Sequence, residues 1–159
     1  MPPEPIPSDD SILRWVRFRS LRKDADGAVI GVLFDAFKLR PEDDGALSAL
    51  WVEFFQSEAG DQHQQAIAQF AKGVTFKKND QFAKGKVSDI RDACQAYGVQ
   101  VRIVHEPDGD LECHALVRRF NDTNDDLLEL LAAEAWAELH VPAAFPEKKK
   151  SGTAEAPKS

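Results

Sequence analysis

The pattern of apolar and polar residues predicts two β-hairpins. Residues 12–19 are rich in β-branched and aromatic side chains, and residues 28–39 form the returning strand after a turn at 23–27. Apolar and polar residues alternate over 99–103, which predicts a half-buried strand that pairs with 111–120. Each hairpin joins strands that are neighbours in the sequence, which indicates antiparallel pairing.

Apolar residues at helical spacing predict about four helices. The four apolar stripes are Leu47, Leu50, Trp51, Phe54 and Phe55; Ile67, Phe70 and Ala71; Val87, Ile90, Cys94 and Tyr97; and Leu127, Leu130, Leu131 and Leu139. Gly98 ends the third helix in the left-handed conformation, and Thr123 with Asp126 fits a capping box that begins the last. Trp136 is expected at the border of the last apolar face. The sequence thus predicts an α+β fold, with an antiparallel sheet built from two hairpins, about four helices and the last helix C-terminal.

The two ends of the chain differ in composition from the middle. Residues 1–10 contain four prolines and predict an extended arm, residues 11–145 predict a single α+β domain, and residues 146–159 predict a disordered polar tail. The arm lacks the basic and apolar regions of a signal peptide. The longest apolar stretch, 28–34, is too short to span a bilayer. We therefore expect a cytoplasmic protein without a membrane contact.

Charge narrows the choice of partners. The 159 residues carry a formal net charge of −7, which disfavours a protein whose whole surface binds nucleic acid. Basic residues nevertheless interleave with Trp15 and Phe18, and a second basic segment follows later. Nucleic-acid contact is therefore possible through Arg14, Arg17, Arg19, Lys77 and Lys78. The alternative interpretation makes the aromatics core and the cations a solvated face. Acidic runs elsewhere make the charge bipolar, which equally suits a protein partner or self-association.

The sequence contains no recognisable metal or nucleotide motif. Cys94 and Cys113 lack a ligand spacing and are expected to be reduced thiols. Residues 24–27 resemble a calcium loop, but the alignment places Arg22 and Leu33 where carboxylates are required. We find no phosphate-binding glycine loop and no zinc or serine-hydrolase signature. We therefore predict no metal site and no cofactor.

Two histidines form the most suggestive cluster. A type I turn at 106–109 pairs His105 with Leu111, Ile103 with Cys113 and Arg102 with His114. In that register, His105 lies on the apolar face and His114 on the opposite face, so the two rings do not share a metal or a proton. A two-residue loop at 108–109 would instead place both rings on one face.

These alternatives give two candidate sites. For an enzyme, the catalytic residues are His105, His114 and Glu106, in a small histidine-dependent or metal-dependent hydrolase that acts on nucleotides or nucleic acid. For a binding protein, the polar face of the hairpin supplies the contacts through Arg102, Glu112, His114 and Arg118. The preferred register separates the titratable groups, so it favours a non-catalytic protein-interaction module.

Several short motifs together suggest a family. The segment 47–55 (LSALWVEFF), His105-Glu106-Pro107 and His114-Ala115 resemble a small bacterial family of uncharacterised proteins, as do Leu131-Ala132 and 141–143. The resemblance implies a bacterial cytosolic protein and brings no activity, ligand or catalytic residue. The accessory role that we expect in such a system comes from the residue pattern and not from the family.

Overall fold

An antiparallel sheet organises the computed structural model, which describes residues 4–56 and 61–143. Its strands are Glu4–Pro5 (β1), Ser11–Val16 (β2), Leu47–Trp51 (β5), Gln81–Lys86 (β6), Arg102–His105 (β7), His114–Arg118 (β8) and Glu138–His140 (β9). Their spatial order is β1-β7-β8-β5-β2-β6-β9. A separate two-stranded sheet pairs Leu21–Lys23 (β3) with Val29–Val32 (β4). The α+β class is confirmed.

The described residues form three α-helices and not about four. They are Gln62–Ala71 (α1), Val87–Ala96 (α2) and Asp125–Leu130 (α3), and α3 continues into a π-helical turn, Leu131–Ala135. The strand β9 follows that turn, so the prediction of a C-terminal last helix is wrong. Gly98 follows α2 with a φ of 77°, as expected.

The segment 47–55 is a strand followed by a 3-10 turn, Val52–Phe54, and not a helix. Leu47 and Ala49 pack on one side of the sheet, and Leu50 packs on the other. A strand that is buried on both faces loses its polar alternation. Its apolar spacing then imitates that of a helix.

Each face of the sheet has its own core. The first face carries Ile12, Ala49 and Ile103 and packs against α2, α3 and the β3–β4 hairpin. The second face carries Leu13, Leu50 and Phe82 and packs against α1. The helices therefore lie on both sides of the sheet.

The two predicted hairpins exist with different partners and bounds. Asp24 to Gly27 does form the first turn, but it joins β3 to β4 in the small sheet. Residues 11–16 instead form β2, between β5 and β6 in the main sheet. Pairing of β2 with residues 28–39 was therefore the wrong prediction.

The last helix begins one residue later than expected. The Asn124 side chain accepts hydrogen bonds from the backbone N–H groups of Asp126 and Leu127, so Asn124 and not Thr123 is the N-cap. Trp136 is completely buried, and its indole Nε1 donates to the Ala83 carbonyl at 3.0 Å. Its predicted place at the border of the apolar face is corrected accordingly.

The N-terminal arm is an edge strand where it is described. Glu4 pairs with His105 and Pro5 with Val104, and the side chain of Ile6 is buried in the core of the first face. The predicted tail, 146–159, lies outside the described residues. Among the helices that the structure does describe, none is long and apolar enough to cross a membrane.

Candidate functional site

The register of the β7–β8 hairpin differs from the predicted one. Arg102 pairs with Arg118, Ile103 with Val117 and His105 with Ala115. Each β7 residue therefore meets a partner four positions later than expected, because the loop holds a second turn after the Asp108–Leu111 bridge. An even shift keeps every paired side chain on its predicted face.

The two histidines accordingly lie on opposite faces of the sheet. His105 contacts the rings of Trp51 and Phe54 on the first face, with centroid distances of 5.0 and 5.4 Å. Its Nε2 is 2.7 Å from the Glu112 carbonyl oxygen. A carbonyl oxygen only accepts, so His105 Nε2 carries the proton. This half-buried ring therefore packs against two aromatic side chains and holds the loop.

His114 binds the same loop from the other face of the sheet. Its Nδ1 donates to the Glu106 carbonyl oxygen at 2.8 Å, and its Nε2 lies 3.3 Å from the Ser48 hydroxyl. Both histidines thus hold the segment between β7 and β8 through backbone carbonyls, and their ring nitrogens do not converge on a common point.

Three residues of the predicted binding face, Arg102, His114 and Arg118, lie on one face of the β7–β8 hairpin. Arg118 makes an ion pair with Glu106, and Arg102 lies opposite Arg118 at the exposed surface. His114 instead lines a cleft to which Arg102, Glu112 and Arg118 do not contribute. Of the four predicted residues, only His114 therefore belongs to the cavity described next.

A cleft opens where two neighbouring strands separate. β2 and β5 pair only at Ile12 with Trp51 and at Leu13 with Leu50. Beyond Leu13, β2 stays paired with β6, and β5 stays paired with β8. The resulting cavity has a volume of about 520 Å³, which is in the range of small-ligand sites.

Arg14 bridges this gap in place of backbone pairing. Its Nε donates to the Ala36 carbonyl at 2.8 Å, and its Nη1 donates to the Ser48 carbonyl at 2.9 Å. Burial lowers the pKa of Arg14 to about 10, against an opposing effect of Asp43. Arg14 therefore stays protonated at neutral pH. No carboxylate among residues 4–56 and 61–143 lies within ion-pair distance of it, at 4.0 Å or less.

Positive charge dominates the rim of the cleft. The lining contains five cations and three carboxylates: Arg14, Arg17, Arg19, Lys38 and Arg40, and Asp35, Asp43 and Asp108. Arg40 is paired with Asp43 at 3.0 Å. Burial acts to raise the pKa of the Asp43 carboxyl, but hydrogen bonds from Arg40 hold that pKa below its usual value. In a chain of net charge −7, this is a local concentration of cations.

The floor of the cleft is apolar and partly aromatic. Its partly exposed side chains are Trp15, Phe70 and Leu111, which pack against the buried Leu13, Leu50 and Phe82. Trp15 and Phe70 pack edge to face with centroids 5.6 Å apart. A cavity with an apolar floor and a cationic rim accommodates a molecule that has both apolar and anionic groups.

The buried Asp80 positions one wall of the cleft. Its carboxylate accepts from the Trp15 indole at 3.0 Å, from the Phe18 backbone N–H at 2.9 Å and from the Lys77 backbone N–H at 2.9 Å. These bonds fix the end of β2 and the start of the 3-10 turn Phe18–Ser20, the segment that carries Arg17 and Arg19. Sequence reasoning missed Asp80 because nothing in its neighbourhood distinguishes a buried carboxylate from an exposed one.

The five residues predicted to contact nucleic acid separate into two groups. Arg14, Arg17 and Arg19 line the cleft, whereas the exposed Lys77 and Lys78 do not. The Arg17 guanidinium carbon lies 4.7 Å from the centroid of the Trp15 ring, and the Lys23 ammonium lies 3.8 Å from that of Phe18. Each of these cations covers one face of its aromatic ring.

Both cysteines are free and buried. Burial raises the pKa of each thiol to about 12. A thiol with that pKa is almost entirely protonated at neutral pH, so neither Cys94 nor Cys113 is a thiolate nucleophile.

Metal ligands do not cluster in the part of the chain that the structure describes: no group of three or more His, Cys, Asp or Glu side chains is placed to hold an ion. Comparison of the chain with protein-family models, curated proteins and solved structures finds no match. The resemblance to a small bacterial family therefore stays a prediction.

Proposed function

We propose that this chain is a non-catalytic binding module that holds part of another protein in the cleft between β2 and β5. The observation that carries the proposal is the cleft itself, whose lining combines the partly exposed apolar side chains of Trp15, Phe70 and Leu111 with five cations. An exposed segment of a partner protein offers apolar and charged side chains together, so it complements both parts of the cleft.

The roles of the histidines favour binding over hydrolysis. His105 and His114 each donate a ring N–H to a backbone carbonyl, and they face opposite sides of the sheet. General acid–base chemistry requires titratable groups that reach one reacting atom. A histidine-dependent or metal-dependent hydrolase that uses His105, His114 and Glu106 is therefore the weaker proposal. The accessory role follows from the residue pattern, whereas its placement in a bacterial cytosolic system rests on the resemblance alone.

Selection from a displayed random-peptide library tests the proposal. Ser48 is exposed and lines the cleft, so Ser48→Tyr fills the cavity while the backbone carbonyl that binds Arg14 is kept. We expect the wild-type protein to select peptides whose affinity falls roughly tenfold or more, about 1.4 kcal/mol, in Ser48→Tyr. Ala96→Tyr, at an exposed position of α2 outside the cleft, is the matched control and should bind them normally.

Two results would contradict this function. The first is a selection that yields no peptide whose binding depends on the cleft. The second is hydrolysis of bis(para-nitrophenyl) phosphate by the wild-type protein that is lost in both His105→Ala and His114→Ala, which would support the hydrolase instead.

A further inference from the structure

Resting on the proposed function, we infer that the cleft recognises a carboxylate of an acidic and apolar peptide segment, with Arg14 as the anchor at its base and Arg19 as a second contact at its rim. The segment's apolar side chains pack against the partly exposed Phe70 and Leu111 of the lining. The chemical class of the ligand is therefore a peptide that combines Asp or Glu with Leu or Phe.

Arg14 is prepared for such a contact. A guanidinium has five N–H donors in a fixed fork, and in the described part of the chain Arg14 donates from Nε to Ala36 and from Nη1 to Ser48. Its Nη2 remains for a ligand. Because two bonds already hold the side chain, little conformational entropy is lost when a carboxylate binds.

The charge of Arg14 also needs a counter-ion. Transfer of a cation out of water is unfavourable unless an anion or several hydrogen bonds compensate it. Asp43 is the carboxylate of the rim that acts electrostatically on Arg14, but it already pairs with Arg40. A carboxylate from outside the chain would complete the compensation.

Arg17 and Arg19 extend the cationic surface towards solvent. Both are exposed, and neither forms an ion pair with any residue in the described ranges. Arg17 is held against the Trp15 ring, whereas Arg19 lies over no aromatic ring of the described residues. Arg19 is therefore the rim cation that is best able to turn towards an arriving carboxylate.

Three observations favour a peptide over a nucleic acid. The three carboxylates of the lining repel a continuous row of phosphates more than an isolated carboxylate. The net charge of −7 opposes a polyanion that extends beyond the cleft. The Arg17 guanidinium covers one face of the Trp15 ring and Phe70 packs edge to face with it, which reduces the ring surface open to a base.

Fluorescence anisotropy with three labelled probes tests the inference. The probes are a synthetic peptide of Glu, Leu and Phe, the same peptide with Gln at every Glu, and a short thymidine oligonucleotide. We expect the acidic peptide to bind most tightly, with an affinity that falls as salt is added. Arg19→Gln should weaken it roughly fivefold, the size of an exposed charge contact.

Matched variants separate the cleft from general charge. Lys78→Gln removes the same charge from an exposed position outside the lining and should leave binding unchanged. Arg14→Lys keeps the charge but loses the fork, so we expect roughly tenfold weaker binding. Circular dichroism establishes that each variant is folded. If Arg14→Lys is unfolded, the test is whether Arg19→Gln weakens binding of the acidic peptide more than Lys78→Gln does.

Failure of the inference is distinguishable from failure of the proposed function. Equal binding of the Glu and Gln peptides, no binding of either, or tighter binding of the oligonucleotide overturns the carboxylate assignment. The proposal of a binding module would still hold if library peptides bind the wild-type protein and lose affinity in Ser48→Tyr. If no library peptide does, the binding function itself is wrong.

Discussion

The side chain of Arg14 both joins two strands of the fold and lines the candidate site. It occupies the first position of β2 beyond the pairing with β5, where backbone groups of the two strands no longer meet. Its guanidinium bonds to carbonyls on both sides of the gap and so replaces a missing part of the ladder. The same arrangement leaves a cation without a carboxylate partner among the described residues at the base of a cavity.

Asp80 provides a residue-scale prediction. Asp80→Ala leaves three donors without their acceptor, namely the Trp15 indole and the backbone N–H groups of Phe18 and Lys77. We expect the free energy of unfolding to fall by about 3 kcal/mol. Asp80→Asn keeps one acceptor oxygen, so its free energy of unfolding should fall less. Urea denaturation measures both changes.

Asp26→Ala is the control for this prediction. Asp26 is exposed in the β3–β4 turn, and its side chain accepts none of the hydrogen bonds found in the described part of the chain. The free energy of unfolding of Asp26→Ala should differ from that of the wild type by no more than about 0.5 kcal/mol. Equal stability of Asp80→Ala and Asp26→Ala would show that the carboxylate of Asp80 does not hold the end of β2.

The elements themselves differ in how far the sequence predicts them. α2 follows from its apolar spacing and from Gly98, because both signals are local. The strand at residues 47–51 was not predicted because the burial of β5 on both faces depends on helices from distant parts of the chain. β6 was not predicted because Lys84, Gly85 and Lys86 hide its alternation.

Gly85 gives an element-scale prediction, since β6 passes directly beneath the π-helical turn. A Cβ at this position would lie 2.7 Å from the Ala135 carbonyl oxygen and 2.8 Å from Cδ1 of Trp136. We expect Gly85→Ala to lower the free energy of unfolding by about 1–3 kcal/mol through overpacking. The measurement is again urea denaturation.

Gly31→Ala is the matched control in β4. Its nearest neighbour would be the Cβ of Arg22 at 3.9 Å, an ordinary contact distance. We expect little change in stability there. A Gly85→Ala protein as stable as Gly31→Ala would contradict the close packing of Trp136 on β6.

At the scale of the whole molecule, a histidine pair joins α1 to the edge strand β9. The rings of His63 and His140 stack with centroids 4.3 Å apart. Each has a carboxylate partner, Asp61 at 2.9 Å and Glu138 at 2.7 Å. The hydrogen bond from His63 holds the pKa of Asp61 below its usual value, and the bond from His140 does the same for Glu138.

These two pKa shifts predict a pH dependence of stability. A carboxyl group whose pKa is lower in the folded state stabilises the fold above its unfolded pKa, near 4, and that stabilisation is lost as pH falls through the folded value. We expect the double variant Asp61→Asn, Glu138→Gln to have a lower Tm than the wild type at pH 6, because both carboxylates are charged there. The difference should shrink as the pH falls below about 4.

Thermal unfolding followed by circular dichroism measures this dependence. Asn at position 61 still caps α1, so the change isolates the charge from the helix cap. A Tm difference that stays constant from pH 6 to pH 3 would exclude these carboxylates as the source of the effect. Asp26→Asn, at an exposed turn position, controls for the general loss of negative charge.

The candidate site was predicted only in its parts. The sequence identified Arg14, Arg17 and Arg19 as a basic group beside Trp15, and His114 as a residue of a polar face, without any sign that they share one cavity. Ser48 was quoted only within the segment 47–55 that carries the resemblance and was not predicted as a site residue. Their convergence depends on the pairing of β5 with β8 and on its early separation from β2, which are contacts between distant segments.

The amino-acid sequence by itself determined the turn at Asp24–Gly27, the extent of α2 and the faces of the β7–β8 hairpin. These features follow from backbone stereochemistry and from periodicity over a few residues. The tertiary structure alone decided the hairpin register, the neighbours of β2 and the cleft. Such features depend on which distant strands exclude water together, and no local pattern specifies that choice.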